Sequence, residues 1–485
     1  MPNDFRYVKL NDDDTEDYIE EKSTDSLLDN AEGGVTKGIT KTAKKSSIWT
    51  FMLLGIITLS RTTGGLFISI LGPTLLTLAN NVGSSVGEIS FVFSGRSFGG
   101  LAGGMVTGYI MRQVNNMLSF GLAHFLLAVV MLLTPLVSDL WILITFTMVG
   151  AVGFGFLDAG MQALILQTWG AKSSQGLIAY YHFTFVIGAF FAPLLAEHYL
   201  VEEDNQSTCP NNRTNIQALN ITNGVTQSFL NQTDQVGVTT TSLPKDDNPI
   251  MWAYLIISVF MFVVGVLFLV LGCFGIESRV RSSKTEVVET RKEDKLKDVA
   301  LLFFLVTSYY FFCVAGESIY NSYIYSATVC SELKFSVTAA TGMNTMFWVG
   351  FAAGRFCGVA IANYFTPFQI ITADLFGVTL SMVVVCLFGE NVAAITWVVT
   401  FLYSFFQGTL YPCGVSWTSQ FTNMSGNYIF IFTIGQTVGN IILLPIAGQM
   451  FDAHPFSVLN LVLICSVANA LSFMGMVAER KYSAK

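Results

Sequence analysis

Apolar positions in this chain follow neither the two-residue alternation of a half-buried strand nor the one-sided stripe of a soluble helix. They persist for about twenty residues, give way to a short polar stretch, and resume. Such runs cover residues 48–73, 86–110, 117–137, 140–168, 176–200, 250–276, 299–325, 336–364, 369–388, 393–417, 428–450 and 457–478. Inside hydrocarbon every backbone N–H and C=O must be satisfied within its own segment, so each run is expected as a helix. The pattern therefore predicts an all-α integral membrane protein with twelve transmembrane helices.

The polar stretches divide the chain further. Residues 1–47 are acidic and carry no apolar core, which predicts a disordered cytoplasmic tail and no cleavable signal peptide. Residues 277–298 are a basic linker, and 479–485 form a short C-terminal tail. With both ends placed in the cytoplasm, 19 of the 25 Lys and Arg residues fall on the inner side, the bias that orients membrane proteins. The longest outer loop, 201–249, holds glycosylation sequons at Asn205, Asn212, Asn220 and Asn231, as a lumenal segment would. Cys209 and Cys330 both fall in outer loops, where the oxidising compartment permits a disulfide without requiring one. At 52% hydrophobic and 12% charged residues the composition agrees with a membrane protein; the net charge of −8 comes largely from the tail and says nothing about nucleic acid, which is not an expected partner.

The helices also repeat. "SGRSFGGLAGG" in the second run and "AGRFCGVAIAN" in the eighth share Gly-Arg-x-x-Gly, as Gly95-Arg96 to Gly99 and Gly354-Arg355 to Gly358. "GFLDAG" in the fourth is matched by "GTLYPCG" in the tenth, and Gly188-x-x-x-Ala192 in the fifth by Gly435-x-x-x-Gly439 in the eleventh. The order is the same in 48–276 and 299–478, so the chain reads as two pseudo-symmetric six-helix bundles. That arrangement resembles the major facilitator superfamily. The resemblance implies transport by rocking of the halves about a central site, with the first, fourth, seventh and tenth helices lining the cavity. Its small-xxx-small patterns suit close, sliding contacts between the halves. The superfamily's inner-loop Asp and basic cluster are missing after the second helix, where Arg112 stands instead.

A charge at the bilayer centre costs roughly 2.5–3.5 kcal/mol on insertion scales, so an ionisable residue there normally faces a partner or a cavity. Arg61, Arg96, Asp158, His182, Glu317 and Arg355 are the candidates. At 100° per residue Asp158, Gln162 and Trp169 share one face of the fourth helix. Glu317, Tyr320 and Asn321 share one on the seventh, and Gln407 and Tyr411 one on the tenth. Carboxylates, amides and aromatic rings suit a sugar, whose hydroxyls take directed hydrogen bonds and whose C–H faces stack on rings. Asp158 and Glu317 are the expected ion-coupling acids. Arg61, Arg96, Arg355 and His182 are the expected charge partners, and for Arg96 and Arg355 a packing role is the simpler reading. Asp158 can hold Na+, carry a proton or pair permanently with Arg61, and the residues alone leave these open.

Leu157 to Leu200 narrows the resemblance. Leu157-Asp158, Gly160, Trp169-Gly170, then His182-Phe183, Phe185, Gly188-Ala189-Phe190 and Pro193-Leu-Leu-Ala196 match the stretch L-D-T-G-x-N … W-G … H-F-x-F-G-x-G-A-F-x-x-P-L-L-A. This pattern resembles the sodium-dependent glucose transporter 1 group, related to the fucose permeases. Ala159, Gln162 and Val186 depart from it, where the group has Thr, Asn and Gly. The resemblance implies a secondary transporter, not an enzyme, that moves a hexose such as glucose with Na+ as the co-transported ion and no cofactor. It also implies a monomer whose partners are sugar and lipid. The alternatives are a proton-coupled or uncoupled carrier of another small polar solute, and a sensor that binds solute without turnover. The plasma membrane, its apical face included, is the expected location. Tyr7-Val-Lys-Leu10 resembles a tyrosine-based sorting signal and keeps endosome or lysosome as the alternative.

Overall fold

A computed structural model describes residues 32–202, 208–210, 248–274, 296–421 and 426–483, and every regular element among them is helical. Contacts divide the chain into residues 1–53 and residues 54–485. The first unit contributes the opening turns of one helix, and the second holds the membrane bundle. The tail to residue 31 with its Tyr7 motif, the sequons at Asn205, Asn212, Asn220 and Asn231, and most of the linker 277–298 lie outside the described residues.

The helix α1 runs Glu32–Ser69, so it begins inside the stretch expected as tail. It does not reach residue 73 unbroken. Pro73 has no N–H to donate back, and the helix breaks at Ile70 and restarts as α2, Leu71–Asn81. A four-residue helix α3, Val86–Ile89, is closed by a Ser85–Glu88 capping box and leads into α4, Phe91–Gln113. Next come α5, Asn116–Leu133, and α6, Leu140–Glu197. Gly170 bends α6 at φ 74° and ψ 164°, a conformation that a residue with a Cβ rarely adopts. Its two arms, Leu140–Gly170 and Gly176–Glu197, are the predicted fourth and fifth helices. The first half closes with α7, Ile250–Cys273.

The second half comprises α8, Leu296–Cys330; α9, Val337–Ile361; α10, Pro367–Phe388; α11, Ala393–Ser419; α12, Gly426–Ala453; and α13, Val458–Ser483. The linker thus gives way to helix at Leu296, and the last helix extends beyond residue 478 into the predicted tail. Ten described helical segments are long and apolar enough to cross a membrane. The other two expected spans are α4 and α9, of 23 and 25 residues. They reach the required length, but Gly, Ser, Thr and Arg lower their apolarity because they pack on helices more than on lipid.

The glycines of α4 and α9 explain the repeat. A Cβ on Gly99 would meet the Met148 carbonyl of α6, and one on Gly354 the Phe405 carbonyl of α11. Each half therefore seats its Gly-Arg helix backbone-to-backbone on the next lining helix. The small-xxx-small pairs act likewise. Gly188 packs against the Thr62 carbonyl of α1, and Gly435 and Gly439 against the Thr307 and Phe311 carbonyls of α8. These contacts lie inside each half, which corrects the expectation of sliding contacts between halves. Close approach is needed where α1 and α8 must lean over the cavity from the flank of their own bundle.

The halves meet through other groups. Trp348 Nε1 donates to Ser69 Oγ at 2.8 Å, Ser94 Oγ to the Ile441 carbonyl at 2.7 Å, and the Gly87 N–H to Asp452 Oδ2 at 2.9 Å. The last two lie where α3 leads into α4, and the first at the α1–α2 break. Cys209 and Cys330 are joined by a disulfide with 5.3 Å between Cα atoms, tying the loop after α6 to the end of α8.

Because these carbonyls leave no room for a methyl group, Gly354→Val and Gly188→Val are each expected to destabilise the protein by about 1–3 kcal/mol. Thermal unfolding in detergent checks this, with Gly55→Val as the control, since a Cβ there meets nothing within 4 Å.

Candidate functional site

Arg61 of α1 is buried, and its guanidinium lies between the two arms of α6. Nη1 donates to Asp158 Oδ1 at 2.5 Å and Nη2 to His182 Nδ1 at 3.3 Å. A guanidinium can only donate, so this contact needs His182 neutral with its proton on Nε2. The ring centroids of Tyr181 and Phe185 stand 4.8 and 4.7 Å from Arg61 Cζ, with Phe154 at 5.8 Å. The charge is thus held by one acid, one imidazole and an aromatic box.

Asp158 is the more accessible partner, its side chain 31% exposed. Gln162 Nε2 at 3.2 Å and the Tyr181 hydroxyl at 3.3 Å also donate to it, and like Arg61 they use Oδ1. No described residue donates to Oδ2. A small cleft with room for about one water opens beside the pair, lined by Ser60, Thr63, Gly64, Phe154, Asp158 and Tyr181 among others. Three donors on one oxygen leave the other to whatever enters the cavity.

The second half presents Glu317 from α8, Arg355 from α9, and Gln407 and Tyr411 from α11. Pro412 cannot donate to the carbonyl of Gly408 four residues back, and Arg355 Nε takes that place at 3.4 Å. The Arg355 guanidinium lies 4.5 Å over the Phe351 ring. Gln407 is buried, donates to the Cys313 carbonyl at 2.8 Å and reaches the Glu317 carboxylate. Tyr411 packs edge-on against Tyr310 at 4.9 Å. Arg355 lies within electrostatic range of Glu317 and Arg61, and Tyr411 within range of Asp158, so the polar groups of the two halves face one another.

Other expected residues stand apart. Trp169 lies eleven residues from Asp158, about 16 Å along the axis and next to the bend at Gly170. Tyr320 is fully buried, stacked on Tyr403 at 4.5 Å with its hydroxyl 2.7 Å from Thr400 Oγ1. Asn321 is also buried, and its backbone carbonyl accepts from Asn344 Nδ2 at 2.7 Å. Arg96 meets no carboxylate among the described residues. It donates to the Ile68 carbonyl at 3.1 Å, at the α1–α2 break, and lies over Phe93 at 5.0 Å. Shared helical face was a necessary condition for reaching the cavity, and the turn of each helix decided the rest.

Two groups went unread in the sequence. Tyr181 and Phe185 are four residues apart beside His182, and that spacing on one helical face was the available signal. Asp374, a carboxyl inside the apolar run of α10, was visible as such. It is buried, and Thr409 Oγ1 donates to its Oδ2 at 2.5 Å.

Comparison with known proteins gives the geometry a context. Residues 57–202 match the model of the Major Facilitator Superfamily. The chain is 32% identical over 394 residues to sodium-dependent glucose transporter 1 of Homo sapiens, covering 81% of this chain and 72% of that protein. It is 30% identical to the Xenopus laevis protein of the same name, over 80% and 74% of the two chains. In fold it resembles the xylose transporter XylE from E. coli in a partially occluded inward-open conformation. The TM-score is 0.60 at 10% identity, covering 88% of this chain and 99% of that one.

Removing one partner of the central pair strands the other charge, so Asp158→Leu and Arg61→Met are each expected to destabilise by about 3 kcal/mol. Arg61→Met combined with Asp158→Leu should lose less than either single change. Thermal unfolding of the four proteins measures this as a double-mutant cycle.

Proposed function

The chain belongs to the major facilitator superfamily, in the group of the sodium-dependent glucose transporter 1, and on that premise we propose that it carries a hexose across the membrane together with Na+. The observation that carries this reading is the Arg61–Asp158 pair, a buried guanidinium and a part-exposed carboxylate beside a water-sized cleft lined by α1, α5 and α6. Asp158 is the ion-coupling acid. A sodium ion in the cleft finds a hard carboxylate oxygen and competes with Arg61 for it. Released from Asp158, the guanidinium keeps His182 and the rings of Tyr181 and Phe185, which lower the cost of losing its counter-charge.

The sugar occupies the space between the halves. Asp158, Gln162, Glu317 and Tyr411 are its hydrogen-bonding partners, with Gln407 supporting Glu317, while Tyr320 and Asn321 serve the packing behind them. Trp169 marks the bend at Gly170. With both termini in the cytoplasm, the bonds of Gly87 and Ser94 to the other half lie on the outer side, which supports a cavity that opens inward. The carrier works as a monomer in the plasma membrane, with the loop 201–249 glycosylated.

One feature favours a second reading. The Arg61–Asp158 bond is short and reinforced on both sides, and an acid so neutralised throughout the cycle would leave the carrier uncoupled. Uptake of labelled glucose in cells, in Na+ against choline, separates the two. Coupling predicts at least a tenfold loss of uptake on removing Na+, and Na+ dependence abolished by Asp158→Asn. Hexose uptake indifferent to both would sink the coupling and leave the carrier, while absence of any hexose uptake would refute the substrate.

A further inference from the structure

Arg355 has five N–H groups, and the described structure employs one of them. Nε–H is bound to the Gly408 carbonyl, while neither Nη has a hydrogen-bond partner among the described residues. Arg61, the guanidinium facing it from the other half, uses both of its Nη atoms on Asp158 and His182. Glu317 is the acid that acts on Arg355, yet no ion pair joins them. Apart from Gln407, nothing described bonds to the Glu317 carboxylate.

Opposite charges in a medium of low dielectric attract strongly and would close on one another if free. Arg355 is not free. Pro412 leaves the Gly408 carbonyl without its helical donor, and that carbonyl holds Nε while the Phe351 ring supports the guanidinium face at 4.5 Å. The proline thereby keeps an acid and a guanidinium apart with their hydrogen-bonding edges open. Because Arg355 is also within range of Arg61 and His182, a molecule held there touches both halves.

We propose that Glu317 and Arg355 form a preorganised clamp for two neighbouring hydroxyls of a neutral hexose, with Arg355 Nη donating to one oxygen and Glu317 accepting from the other O–H. This rests on the hexose reading above and adds to it a substrate residue, Arg355, and a positioning residue, Pro412. A neutral diol satisfies both jaws, since each hydroxyl both donates and accepts. An acidic sugar would satisfy Arg355 and be repelled by Glu317. Holding the jaws apart before the sugar arrives removes a rearrangement that binding would otherwise have to drive.

The test is the kinetics of labelled glucose uptake by the full chain, with surface expression measured for each variant. Arg355→Gln and Arg355→Lys are expected to raise KM by about tenfold or more with Vmax nearly unchanged, the loss typical of a charged hydrogen bond. Pro412→Ala keeps both charges and returns a donor to Gly408, so it should release the tether and raise KM as well. Among monodeoxy-glucoses, one should compete poorly against the wild type and carry no further penalty in Arg355→Gln. Unchanged KM in Arg355→Gln and Pro412→Ala, or a deoxy-sugar penalty that persists undiminished in Arg355→Gln, would overturn the clamp. A wild type that takes up no hexose would instead overturn the hexose reading, and the clamp with it.

Discussion

A charge in a bilayer is costly without a partner, and the placing of Arg61 answers that constraint. Its guanidinium needs an acid, a second acceptor and polarisable rings within a few ångströms, and one helix could not supply them all. Both arms of α6 do so together: Asp158 and Phe154 come from the first, Tyr181, His182 and Phe185 from the second. For the arms to converge there, the chain must turn between them, and Gly170 takes the positive φ that the turn needs. For α1 to reach them, its backbone must press on the second arm, where Gly65 and Gly188 have no side chains in the way. Within the motif from Leu157 to Leu200, Asp158, His182 and Phe185 serve that one buried cation directly.

Prolines set a second theme. Two of them, Pro412 and Pro445, remove a helical donor in a place where water is scarce, and a neighbouring helix donates to the freed carbonyl. Pro412 leaves the Gly408 carbonyl to Arg355, and Pro445 leaves that of Ile441 to Ser94 of the other half. At the break before Pro73, Arg96 takes the Ile68 carbonyl while Trp348 reaches Ser69. Such bonds join helices through single polar contacts amid apolar packing. They can be exchanged one at a time, as a carrier that alternates between two closures requires.

The duplication survives in the packing more than in the charges. Gly99 and Gly354 seat α4 and α9 on the backbone of the next lining helix in the same way, yet Arg96 and Arg355 have parted company. The first closes a helix break, and the second faces the central space. Backbone contact admits only glycine and is slow to change, whereas an arginine reaches far enough to serve different neighbours from equivalent positions.

The sequence by itself determined that the chain is a membrane-spanning helical bundle, that it is doubled, and that Asp158 and Arg61 are charges within the membrane that need partners. These follow from local or additive properties: run length, repeated glycines, and the cost of charge in lipid. Tertiary structure decided which member of each helical face meets the cavity. Tyr320 shares a face with Glu317 but is sealed in the core by Tyr403 and Thr400, and Trp169 shares one with Asp158 but lies too far along the axis. It also decided that Cys209 meets Cys330, and that Arg61 rather than Arg96 or Arg355 is the partner of Asp158. A periodicity of 3.6 residues fixes direction around a helix and nothing about depth, tilt or the identity of the neighbour, which depend on how all the helices pack at once.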